Sequence, residues 1–211
     1  MTTSRSSTPP RSTAIPGREA GLLPEPGEHV VLGTPLNGPW PEGTHVIYLA
    51  GGCFWGVERI MWRRPGVVAT AVGYMGGTTP NPTYQEVCTG ATGHAEAVRV
   101  AYDPAVVGED GKALLRTFWE NHDSTRLNRH GNDIGTQYRS AVWTTTPAQR
   151  ETAVRVREAF QGELTRLGLG TCVTTIEDAA DAPAQFGGPY YLAEDYHQAY
   201  LHKNPNGYCN H

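Results

Sequence analysis

The segment from Val46 to Met61 constrains this chain most. An apolar run, Val46-Ile47-Tyr48-Leu49-Ala50, stops at Gly51-Gly52. Cys53-Phe54-Trp55-Gly56 follows, and then a helical pattern on Val57, Ile60 and Met61 that Arg63 and Arg64 close before Pro65. The spacing predicts a strand, a two-glycine turn and a helix, with the Cys53 sulfur at the helix N-terminus. Unpaired N–H groups and the positive dipole end there favour a thiolate over a thiol, whose ordinary pKa is about 8.5. Phe54 and Trp55 set two large apolar rings beside the sulfur. The combination reads as a nucleophile serving a small apolar group.

Around this junction 211 residues are enough for one well-cored domain. It is expected to run from residue 45 to 211, behind an irregular or partly disordered extension over 1–44. Residues 1–20 are rich in Ser, Thr, Arg and Pro, with no acid before Glu19. That composition has some flavour of a transit peptide, but Pro9, Pro10 and Pro16 spoil an amphipathic helix, and a loosely draped tail is the better reading. Residues 21–44 carry five further prolines, at 24, 26, 35, 39 and 41, and read as an arm that wraps the domain or hangs free. Strands are expected at 67–74, 94–102, 138–144 and 172–176. One helix is marked by Leu114, Leu115 and Phe118. Another opens at Thr146-Pro147-Ala148-Gln149, carries Val156, Phe160, Leu164 and Leu167 on one face, and stops at Gly168. Residues 76–84 are a turn-rich loop, 121–135 a polar loop, and 186–211 an aromatic, loop-like tail. Some strands are separated by loops alone, which favours an α+β fold with helices packed on a mixed sheet.

The net charge is −4 and the basic residues are scattered, which argues against nucleic acid or an anionic membrane as partner. No apolar run approaches the ~20 residues that span a bilayer, and residues 1–20 lack the apolar stretch of a secretory signal. The four cysteines, Cys53, Cys88, Cys172 and Cys209, form no C-x-x-C pair. That argues against a zinc ribbon and a thioredoxin-like motif, four cysteines are too sparse for a disulfide scaffold, and the expected setting is a cytoplasmic protein whose disulfides are transient.

Glu96 is the second candidate. In the strand from His94 to Tyr102, period two puts it on the face of Val98, Val100 and Tyr102. On a core face its carboxyl would be desolvated, neutral near pH 7, and able to serve as a general acid. A strand-end glutamate pointing to solvent fits the same periodicity. Asp133 and Tyr138 lie in a polar run entering a strand, and Tyr84 ends the Gly/Pro loop. A phenol can donate to an oxyanion without losing its proton, though ordinary packing explains a tyrosine equally simply. Cys209, in Lys203-Asn204-Pro205-Asn206-Gly207-Tyr208-Cys209, is either an idle surface thiol or a mobile one able to reach an oxidised Cys53. Cys88 and Cys172 read as structural, and His197 among aromatics as structural or orienting.

Together these motifs resemble the peptide methionine sulfoxide reductase A family. The resemblance runs from about Gly51 to Cys209 through Gly52-Cys53-Phe54-Trp55-Gly56, Asn81-Pro82-Thr83-Tyr84, Gly93-His94-Ala95-Glu96-Ala97, Gly131-Asn132-Asp133, Gly135-Thr136-Gln137-Tyr138-Arg139-Ser140 and Asn204-Pro205-Asn206-Gly207-Tyr208-Cys209. It implies a two-layer α/β sandwich around a mixed sheet. It also implies Cys53 as nucleophile, Phe54 and Trp55 as the pocket for the S-methyl group, and Glu96 as the acid near the sulfoxide oxygen. Tyr84 and Tyr138 become donors to that oxygen, Asp133 a residue holding water and substrate, and Cys209 the resolving cysteine. The reaction it implies is reduction of the S epimer of methionine sulfoxide, free or in proteins, by a monomer without metal or bound cofactor. Sulfenic acid on Cys53 would pass to a Cys53–Cys209 disulfide recycled by thioredoxin. Ser124 and Arg126 stand where the family pattern has Pro and Gln, and no recycling cysteine follows Cys209. Competing readings are a thiol peroxidase, a cysteine hydrolase pairing Cys53 with His94 or His197, and a zinc module built from Cys172, Cys209, His197, His202 and His211.

Overall fold

The computed structural model describes residues 15–179, 190–209 and 211. The apolar run forms β1 (His45–Gly51), and the helical pattern after it forms α1 (Phe54–Trp62). The chain continues through β2 (Val67–Met75), α2 (Tyr84–Cys88), β3 (Ala95–Tyr102), α3 (Pro104–Val107) and α4 (Lys112–Glu120). A two-residue hairpin follows, β4 (Arg129–His130) and β5 (Asp133–Ile134), then β6 (Ser140–Thr144), the long α5 (Pro147–Leu167), β7 (Thr175–Asp178), β8 (Tyr190–Leu192) and α6 (Tyr200–Lys203).

Six strands make one mixed sheet in the order β7-β6-β1-β3-β2-β8. Only β6 and β7 run parallel, joined by the α5 crossover; the other neighbours are antiparallel. The fold is thus α+β, as the sequence implies. Period two in β3 divides its side chains as expected. Val98, Val100 and Tyr102 join Phe54, Val57, Met61, Leu115 and Phe118 in the main core between sheet and helices. Ala95 and Ala97 face the other side with Met75, Ala141 and Trp143.

The arm wraps the domain. Arg18 pairs with Glu86 at 2.9 Å, and Asn81 donates back to the Arg18 and Glu19 carbonyls. Arg99, on the second sheet face, donates to the Leu36 carbonyl and lies between the Trp40 and Tyr190 rings. The draped tail expected over 1–14 lies outside the described residues.

Several boundaries differ from expectation. Thr136–Tyr138 is a 3-10 turn, so the next strand starts at Ser140 rather than Tyr138. The strand expected at 172–176 starts at Thr175, because Cys172 N–H is taken by the Gln161 side chain and Val173 N–H by the Ser124 carbonyl. α2 is a helix with a capping box, Thr83 bonding Glu86 N–H and Glu86 bonding Thr83 N–H. The aromatic tail contains β8, which extends the sheet beside β2.

Candidate active site

The two glycines are dictated by what packs on the turn. Gly52 has φ +97°, and a Cβ there would stand 2.5 Å from the His130 Cβ. A Cβ on Gly51 would stand 2.9 Å from the Phe118 ring. The turn delivers Cys53 to the N-cap of α1, only 6 % exposed. Burial pushes the thiol well above its ordinary pKa, and the nearby Glu96 carboxylate adds to the shift. The N–H groups of Trp55 and Gly56 pull the other way but do not prevail. Burial in this closed site thus works against the resting thiolate that the helix N-terminus alone favours.

Glu96 is 1 % exposed and belongs to the core side of the sheet, not to solvent. Its Oε2 accepts from Phe54 N–H at 3.0 Å, the first amide of α1 after Cys53. Burial raises its pKa to about 8, against the pull of that one hydrogen bond, so the carboxyl is largely protonated at neutral pH.

Phe54 and Trp55 form an aromatic wall with residues from the C-terminal segment. The Trp55 indole stacks on Tyr200 at 3.8 Å and 15°, and its Nε1 donates to His197 Nδ1 at 3.1 Å. The buried His197 ring also lies 5.1 Å from Phe54 and 4.6 Å from Tyr84. Tyr84 opens α2, and its hydroxyl lies close enough to that of Tyr138 for each to bear on the charge of the other. Burial and the Glu96 charge push both phenols far above 10, so both remain donors. Asp133 Oδ1 accepts from the Tyr208 hydroxyl at 3.0 Å. Cys88, read from the sequence as structural, is exposed, at the C-terminal end of α2.

The tail is docked rather than free. Arg59 Nη2 donates to Cys209 Sγ at 3.1 Å, and His211 stacks on His130 at 4.2 Å while its ring lies against Gly56. Cys53 and Cys209 are both free thiols.

Two competing sets are not assembled. His94 spends both ring nitrogens on the 76–83 loop, Nδ1 accepting from Gly77 N–H and Nε2 meeting the Thr79 carbonyl, and His197 is bound to Trp55. Among the described residues no three His, Cys, Asp or Glu side chains gather as a metal site. Sequence reasoning also misses Glu58, fully buried with Thr70, His29 and the Ala199 N–H around it. A signal exists, since Glu58 lies four residues after Phe54 on the buried stripe of α1.

A buried thiol facing a protonated carboxyl and two phenols can attack an electrophilic atom while its oxygen receives a proton, which places fold and site among the thiol-dependent oxidoreductases. A family model described as peptide methionine sulfoxide reductase matches residues 45–211, and the chain belongs to that family. Over 95 % of its length the chain is 56 % identical to peptide methionine sulfoxide reductase MsrA 1 of Caulobacter vibrioides, covering 88 % of that protein. The MsrA of Corynebacterium kroppenstedtii is 51 % identical over 94 % of this chain and 88 % of its own. Among solved structures, methionine sulfoxide reductase A of Corynebacterium diphtheriae superposes with a TM-score of 0.85 at 47 % identity, covering 97 % of this chain and 94 % of that one. Reduced Mxr1 from Saccharomyces cerevisiae gives 0.69 at 33 % identity, over 81 % and 91 %.

Proposed function

We propose that the protein reduces the S epimer of methionine sulfoxide, free or within proteins, through Cys53. The observation that carries this is the shared burial of Cys53 and Glu96, whose carboxyl takes the first amide of α1, beside the Phe54–Trp55 wall. The methyl group lies against Phe54 and Trp55, and the sulfoxide oxygen faces Glu96, Tyr84 and Tyr138, with Asp133 holding water and substrate at the edge. Cys53 sulfur attacks the substrate sulfur while Glu96 protonates the oxygen, and the two phenols stabilise the charge that builds there. The thiol proton returns to the carboxylate. The hydroxyl then passes from the substrate sulfur to the Cys53 sulfur: the substrate S–O bond and the new S–S bond break, a Cys53 S–O bond forms, methionine leaves with the freed electron pair, and Cys53 becomes a sulfenic acid. Cys209, released from Arg59, attacks that sulfur, giving a Cys53–Cys209 disulfide and water. An external dithiol reduces the disulfide; thioredoxin, among the more reducing of the cellular dithiols, is the partner we assign. The enzyme acts as a cytoplasmic monomer needing neither metal nor bound cofactor, and residues 15–44 serve as a brace on the catalytic domain.

A thiol peroxidase would share the thiol relay but would gain nothing from the aromatic wall. Parallel assays with methionine-S-sulfoxide, methionine-R-sulfoxide and hydrogen peroxide decide the matter. Turnover of the S sulfoxide alone is expected, and removed by Cys53→Ser. Faster turnover of peroxide would replace this reading with the peroxidase.

A further inference from the structure

The segment 193–199 joins the two halves of the pocket, and it is itself rigidly held. The Gln198 side chain bonds both backbone groups of Val72 and the Ala193 carbonyl, and Ala199 N–H donates to Glu58 at 2.9 Å. From this mount two side chains reach outward. His197 Nδ1 takes the Trp55 indole N–H at 3.1 Å. Glu194 Oε1 takes Tyr84 N–H at 3.0 Å, while its Oε2 takes the Tyr74 hydroxyl at 2.8 Å. His197 Nε2 lies 3.9 Å from Glu194 Oε2, too far for a hydrogen bond, so the two holders are joined through the segment that carries both.

The geometry fixes the chemistry of His197. Because Nδ1 accepts from Trp55, the proton of a neutral ring sits on Nε2, the nitrogen facing the carboxylate. Burial lowers the ring pKa to about 4, which keeps it neutral at working pH. We propose that His197 and Glu194 are positioning residues, forming a bridge that holds Trp55 on the methyl side and Tyr84 on the oxygen side at a fixed separation. This rests on the pocket roles proposed for Trp55 and Tyr84. Neither holder touches the reacting atoms. Each acts through the residue it grips, so their effects must fall on different kinetic constants. Trp55 contacts a methyl group that is the same in ground and transition states, so loosening it raises KM. Tyr84 meets charge that builds only during the reaction, so loosening it lowers kcat.

The test uses side chains that separate acceptor position from ring packing. The amide oxygen of Asn falls near the place of His Nδ1, that of Gln near Nε2, and both variants lose the ring. His197→Gln is expected to raise KM for methionine-S-sulfoxide about fivefold with kcat within twofold, the size of one neutral hydrogen bond. His197→Asn should keep KM within twofold of the parent. Glu194→Ala should lower kcat about tenfold at steady KM, and Glu194→Gln, which keeps an acceptor for Tyr84 N–H, should recover most of it. Trp55→Phe, which removes the N–H, should match His197→Gln, and the double variant should be no worse than either. With 15N-labelled tryptophan, the Trp55 indole signal should shift in His197→Gln and stay in His197→Asn. Equal kinetics for the Asn and Gln variants, or additive losses in the double variant, would overturn the bridge. Full activity of Trp55→Ala would instead remove the pocket reading beneath it.

Discussion

Replacing Glu96 by Gln separates the stability of the site from its chemistry. The amide oxygen can keep the bond from Phe54 N–H, now 3.0 Å, and the volume is unchanged. What disappears is a buried proton site. The folded carboxyl keeps its proton to about pH 8, whereas a glutamate in water loses it at about 4.5. A raised folded pKa means that this site's contribution to stability is complete below about pH 4.5 and is lost as pH rises to about 8. The loss between pH 5 and pH 8 is roughly 3–4 kcal/mol, at 1.36 kcal/mol per pH unit. The Gln variant has no such loss. Its thermal midpoint should therefore gain on that of the parent by about 10 °C between pH 5 and pH 8, at 2–4 °C per kcal/mol for a chain of this size. Single-turnover reduction by the same variant should fall about 100-fold or more, because an amide has no proton to give. Calorimetry at both pH values, with rapid-quench kinetics at neutral pH, reads both effects. A midpoint difference that does not change with pH would mean that Glu96 ionises as in water, and the acid role would go with it.

Other perturbations probe the turn, the donors and the tail. Gly52→Ala puts a Cβ against His130 at φ +97° and should destabilise the protein by about 2 kcal/mol or more, lowering the thermal midpoint and the reduction rate together. Tyr84→Phe and Tyr138→Phe should each slow single-turnover reduction about tenfold at nearly constant KM, and the pair should fall further. Equal KM increases with unchanged kcat would make these tyrosines binding residues instead. Gly56→Ala pushes His211 off α1 and should leave methionine formation intact while slowing disulfide closure, seen as more Cys53 sulfenic acid trapped by dimedone.

Much of the site is legible in the primary structure because its parts are local. The glycine pair, Cys53 and the two aromatics follow one another, and the β1–α1 junction forms where the pattern changes period. Glu96 is readable as far as its face. Whether that face meets solvent depends on α1 lying over β3, which no local pattern encodes. The charge state of Cys53 is only half legible, because counting helix N-terminal donors leaves out the water that burial removes. The aromatic neighbours of His197 hint at an orienting role but not at its partner, and Glu194 carries no local signal, since Tyr84 and Trp55, the partners of Glu194 and His197, lie 110 and 142 residues away in the chain. The docking of Cys209 on Arg59 likewise joins segments 150 residues apart, and Gly and Pro in the tail say only that it can bend. The α2 helix is a different case, because Thr83 and Glu86 spell its capping box in plain order.

The thiol relay is tested most directly by one turnover. Fully reduced protein is mixed with excess racemic methionine sulfoxide and no recycling reductant, methionine is counted per enzyme, and disulfides are mapped by mass spectrometry. The expected result is about one equivalent of methionine, taken from the S epimer alone, with a new Cys53–Cys209 bond. No methionine, or methionine without any change at Cys53, would contradict the relay.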